Sequence, residues 1–238
     1  MRLIWPFLAV TSGIAHADTA WSEYGVATPM RPATQLAEAG CEIEITLKGA
    51  IAEVEQRQRL TNPGPDPLAA TTDFVLPAGA QLVGLELKLG SGKAEAALAV
   101  PAGYAVDRVS SPAVLGADLA QLEALQPLDG RPRFRLIVQP IAAEQDAQIT
   151  TRWTRVTDIR GGALHLVLPG HDGKPCKGSI HAQPGPGTSV ARVRVAGQES
   201  SSRTFSLEGA DLALDVDLAF KRNEPLVWTQ SESLGDGF

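Results

Sequence analysis

The chain has 238 residues, 44% of them hydrophobic, enough to build one large core or one core with a smaller appendage. A formal charge of −6 with no long basic run argues against a nucleic-acid binder. With 23 glycines, 17 prolines and only 5% aromatics, the composition favours many short elements joined by turns over long helices.

The first stretch, "MRLIWPFLAVTSGIAHA" (1–17), has one positive residue, an apolar run, and Ala15 and Ala17 in an A-x-A layout. A secretory signal cleaved between Ala17 and Asp18 is expected, giving a periplasmic or secreted chain. No Cys follows the cleavage site, and no later apolar run reaches membrane-spanning length, so no membrane span is expected. Residues 18–40 lack sustained periodicity and form an N-terminal arm.

From Cys41 onward the pattern alternates. Ile43, Ile45 and Leu47 oppose Glu42, Glu44, Thr46 and Lys48, which is a half-buried strand. After Gly49 a second strand sets Val54 and Leu60 against Glu53, Glu55, Arg57 and Arg59. Gln56 and Gln58 share the phase of its apolar positions, so this strand is expected to be partly exposed on both faces. "NPGPDP" (62–67) is turn chemistry. "TTDFVLP" and "AQLVGLELKLG" continue the strands, the latter with Leu85, Leu87 and Leu89 in alternation. "GSGK" (90–93) fails as a phosphate loop, because Leu87 and Ala94 stand where Gly and Ser or Thr are needed. It reads as a hairpin turn.

In "LGADLAQLEAL" (115–125), Leu115, Leu119, Leu122 and Leu125 form one stripe at helical spacing, which predicts a short helix. Strands resume at "RFRLIVQPIAAEQDAQITTRW" (133–153) and "GGALHLVLPG". Alternation puts Arg131, Arg133 and Arg135 on one side of a strand, a candidate interaction face whose plainer reading is a solvated face balanced by nearby acids. Residues 171–188 are rich in Pro and Gly and are expected to form a loop. Residues 189–238 hold three more alternating runs, a small C-terminal β extension.

Chemistry-bearing residues are sparse. Cys41 and Cys176 are an even pair, which in an exported chain points to one disulfide; two unrelated thiols remain the alternative. His171, Cys176 and His181 match no standard zinc spacing and lack an evident fourth ligand, so no metal is expected. Asp211, Asp215 and Asp217 read as the outward side of a strand, with Leu212, Leu214, Val216 and Leu218 inward. There is no G-x-S-x-G motif and no recognisable nucleophile–base arrangement, so neither catalysis nor a cofactor is expected.

In order and spacing, residues 41–170 resemble the VIT (vault protein inter-alpha-trypsin) domain. The resemblance is carried by "EIEITLKGAIAEVEQRQRLTN" ending at an Asn, "TTDFVLPAGAQLVGLELKLG", "FRLIVQPIAAEQDAQITTRWTRV" and "GGALHLVLPG". Ala142 and Ala143 stand where the family carries Pro and Gly, and "AVPAGYAVDRVSSP" departs from its middle segment. The resemblance implies an all-β, antiparallel β-sandwich-like domain with one short helix and a small C-terminal β extension. It further implies a non-catalytic protein–protein interaction or envelope scaffolding module, with a protein partner such as a von Willebrand factor A domain on another chain. This sequence lacks the D-x-S-x-S motif of such a domain. A secreted carbohydrate-binding or carbohydrate-active β-sandwich is the rival reading, weakened by the few Trp and Tyr residues.

Overall fold

The computed structural model describes residues 22–23, 36–100, 120–171, 173–183 and 188–220. The expected signal segment and most of the N-terminal arm lie outside the described residues.

Numbered along the chain, the strands of the described residues form three sheets. The first has the order β1 (Ser22–Glu23), β4 (Leu68–Val75), β9 (Arg131–Ile141), β8 (Ala120–Leu128) and β7 (Leu98–Val100). The central sheet has seven strands: β16 (Thr204–Leu207), β13 (Cys176–Gln183), β2 (Ala37–Lys48), β3 (Ile51–Thr61), β10 (Asp146–Val156), β5 (Gln81–Leu89) and β6 (Ala94–Ala96). The third runs β11 (Asp158–Arg160), β12 (Ala163–Leu168), β17 (Leu212–Phe220), β14 (Thr188–Val195) and β15 (Gln198–Glu199). The architecture is all-β and sandwich-like.

The alternation read from the sequence decides which face is buried. Ile43, Ile45, Leu47, Val54, Leu60, Leu85, Leu87, Ile149 and Trp153 all turn to one face of the central sheet. At one end that face packs against Leu164, Leu166, Leu168, Val193, Leu214 and Val216 of the third sheet. At the other end it packs against Leu68, Leu136, Val138 and Ile141 of the first. Two cores therefore lie end to end along one central sheet, each held by burial worth about 1.5–3 kcal/mol per large apolar side chain.

Two of the strand-to-strand connections cross between layers instead of closing as hairpins. β3 belongs to the central sheet and β4 to the first, and β9 and β10 are divided the same way. Asn62, fully buried, fastens both crossings together. Its side-chain amide donates to the carbonyls of Ile141 and Asp66, each at 2.8 Å, and its Oδ1 accepts from the Gly64 N–H at 2.9 Å. The Asn62 carbonyl accepts from the Glu144 N–H at 3.0 Å, and its own N–H donates to the Gln145 carbonyl at 3.3 Å.

Three expectations need correction. The helix predicted over 115–125 is not formed where the chain is described. Ala120–Leu128 is strand β8, antiparallel to β9, with Ala120 opposite Val138 and Leu122 opposite Leu136. Pairing along β9 overrides the leucine spacing: Ala120 and Leu122 face the core, and Leu125 falls on the other side with Gln121 and Glu123. The Pro/Gly-rich segment 171–188 is likewise more than a loop, because it contains β13, which joins β2 in parallel register. Cys176, Gly178 and Ile180 alternate inward there. Gly178 looks like a strand breaker but leaves the space that the Phe205 ring fills. The boundary expected at residue 170 also cuts through shared sheets, since β12 pairs with β17 and β13 with β2.

Candidate functional site

Gln56 and Gln58 stand in the apolar phase of β3 because they fall where the two cores meet. There the three sheets leave a cavity of about 260 Å³, lined among others by Gln58, Thr72, Phe74, Thr151, Trp153 and His171. Gln58 Nε2 and Thr72 Oγ1 are buried without a hydrogen-bond partner among the described residues. Leaving such a group unpaired costs about 1–3 kcal/mol, so both are available to a water or a polar ligand. Gln56 Nε2 donates to Cys41 Sγ at 3.7 Å.

A buried cluster stands at the edge of this cavity. Cys41 and Cys176 are disulfide-bonded, with Cα atoms 4.4 Å apart in directly opposed register on β2 and β13. The ring of His171, which is 2% exposed, lies against them: one ring nitrogen and the two sulfurs are all within 4.8 Å of one another. His171 Nε2 hydrogen-bonds both carboxylate oxygens of Glu38, at 2.9 and 3.1 Å, and the Lys174 N–H donates to Glu38 Oε2 at 3.1 Å. A Cβ at Gly173 would overlap that carboxylate, so glycine there admits the pair. His181, the third residue of the spacing noted in the sequence, is 60% exposed on the opposite side of β13, 3.9 Å from Glu44.

Arg131, Arg133 and Arg135 lie on one side of β9, as the alternation expected, but acids of the same chain engage two of them. Arg133 and Arg135 both donate to Asp73 of β4, at 2.6 and 2.8 Å, and Arg135 lies 4.0 Å from Glu123. The Arg131 guanidinium donates to the Leu76 carbonyl at 3.4 Å. Burial works to raise the Asp73 carboxyl, and the guanidiniums of Arg135 and Arg133 outweigh it, holding Asp73 below the usual carboxylate range.

The outer face of the central sheet carries a longer network. Glu86, Arg152, Glu55, Arg57, Glu44 and His181 form a row of close charged contacts across β5, β10, β3, β2 and β13. Arg152 donates to Glu55 at 2.5 Å and to Glu86 at 2.7 Å. Partial burial works against the Glu55 charge, yet Arg152 and Arg57 hold its carboxyl below the usual range. Hydrogen bonds from Arg152 to Glu86 and Glu55 raise the guanidinium further above its already high value. Beside this row the β5–β10 register shifts: Arg152 faces Gly84 and Trp153 faces Leu82, so Val83 is the extra residue of a β-bulge. Val83 is 60% exposed, an apolar side chain lifted next to a charged surface.

The sequence pointed to the disulfide pair and to the arginine side. Glu38 gave no signal, because it sits in a stretch read as an arm although β2 begins at Ala37. The out-of-place Gln56 and Gln58 were the visible trace of the cavity.

No family model matches this chain, and no curated protein does. Solved structures resemble it only loosely. A Legionella pneumophila protein described provisionally as a nutrient binding protein is 11% identical, with a TM-score of 0.42, over 76% of this chain and 67% of that one. An M1 zinc metallopeptidase from Deinococcus radiodurans is 9% identical, with a TM-score of 0.39, over 82% of this chain and 44% of that one.

Proposed function

We propose that this protein is an exported, non-catalytic protein-interaction module of VIT type that docks a protein partner on the outer face of its central sheet. The observation that carries the reading is Val83, an exposed apolar side chain raised by a bulge beside the row from Glu86 to His181. An apolar anchor within a polar rim is the anatomy of protein interfaces, and the fixed pattern of alternating charge supplies register and selectivity. The resemblance of residues 41–170 to the VIT domain supports the same reading, and the disulfide supports export. Arg131, Arg133 and Arg135 are the weaker docking face, because Asp73 already engages two of them. Affinity capture from periplasmic extract tests the proposal. Val83→Asp and Arg152→Ala should each remove a partner that the unaltered chain retains, whereas an unchanged set of partners in both would refute it.

The cavity favours a second reading, binding of a small hydroxyl-rich ligand such as a sugar. Gln58 Nε2 and Thr72 Oγ1 offer it hydrogen bonds, and Phe74 and Trp153 offer apolar walls. Saturable glycan binding abolished by Gln58→Leu would establish it; no binding on a glycan array would remove it.

A further inference from the structure

The geometry points to a zinc site hidden behind the disulfide: on reduction, Cys41, Cys176 and His171 hold one Zn²⁺, and Glu38 orients the histidine. Two thiolates and an imidazole are the donor set zinc prefers. Their ligand atoms already lie within 4.8 Å of one another, gathered from β2, β13 and the segment after β12. Zinc sites need donors brought from distant parts of the chain to one point, and here the fold has done so. Nε2 of His171 is held by Glu38 at 2.9 Å, which leaves Nδ1 for the metal. A carboxylate fixing the second ring nitrogen is the usual support of a metal-bound histidine. His171 also lines the cavity, so a fourth position has room for a water.

The chemistry balances as follows. A dithiol reductant gives two electrons to the Cys41–Cys176 bond and leaves as its own disulfide. The S–S bond breaks and each sulfur takes one proton. Zn²⁺ then displaces both thiol protons to solvent as two Zn–S bonds form. The cluster thus has two closed forms, a disulfide under oxidising conditions and a metal thiolate under reducing ones. His181, despite its spacing in the sequence, takes no part, since it faces away on β13.

The test uses the full chain, oxidised or reduced by a phosphine, with zinc measured by competition against a chromophoric chelator. The reduced chain should bind one Zn²⁺ and the oxidised chain none, and Co²⁺ in its place should show thiolate-to-metal charge-transfer absorption. Cys176→Ser should abolish binding, Glu38→Gln should weaken it about 10–100-fold, and His181→Ala should leave it unchanged. If reduction loosens the fold, Zn²⁺ should restore the near-ultraviolet circular dichroism of the unaltered chain but not of His171→Ala. The proposal is overturned if the folded reduced chain binds no zinc, if His171→Ala binds as tightly as the unaltered chain, or if zinc fails to restore a loosened fold.

Discussion

Asn62 shows how much one buried polar residue can organise. It is fully enclosed, and its side chain makes three hydrogen bonds, to Ile141, Asp66 and Gly64, where two layer crossings touch. Asn62→Leu keeps the volume but strands two carbonyls and an N–H, so a loss of about 2–4 kcal/mol is expected in urea unfolding. Asp73 makes a different prediction, because its contribution depends on charge. Arg135 and Arg133 hold its folded-state carboxyl below its unfolded value of about 3.9. The stabilisation is therefore complete above about pH 4 and fades as the pH falls toward the lower folded value. Asp73→Asn should lower stability at neutral pH and flatten the acid side of the stability–pH curve below about pH 4, as read by denaturant midpoints across pH.

At the scale of elements, what was legible in the sequence was the alternation, and what was not was the pairing. Ile43, Ile45 and Leu47, or Leu164, Leu166 and Leu168, announce their buried faces because a strand has a period of two whichever partner it takes. Of the stripe Leu115, Leu119, Leu122 and Leu125, the two leucines in the described residues misled for the opposite reason: helical spacing carries no weight once β9 and β7 pair with β8 on either side and impose a period of two. Gly178 misled because glycine weakens an isolated strand, and its value appears only when the Phe205 ring arrives from β16. Gly178→Val should drive that ring out of the core and destabilise the chain by about 1–3 kcal/mol or more, measured by thermal or urea unfolding. In the candidate site, the cysteine pair was readable from its even number and the expectation of export. The His171–Glu38 contact was not, because 133 residues separate the two and nothing local marks them as partners.

For the molecule as a whole, the central sheet is the shared wall of two cores, and the disulfide ties its inner strand β2 to the late strand β13. Closing a loop across a sequence separation of 135 is worth about 4–5 kcal/mol in the chain-entropy view. Cys41→Ala with Cys176→Ala should lower stability by up to that amount, seen as a reduced urea midpoint in metal-free buffer. The loss at Asn62 should add to it almost independently, because Asn62 lies four residues along the chain from Gln58, the position opposite Cys41, whereas Gly178, two residues from Cys176 in the same core, should couple to it.

The parallel pairing of β13 with β2 also bears on how the protein comes into being. β2 is complete early in synthesis, but the strand that covers its open side is more than a hundred residues away. Until β13 emerges, β2 presents a bare edge with Cys41 still a thiol, open to any passing strand or oxidant. A chain stopped at residue 170 would keep that edge for good, and should be recovered in aggregates where the full chain is recovered from the soluble fraction. The edge of an early strand is thus covered by a late one, β13, and maturation becomes a question of timing as much as of contacts.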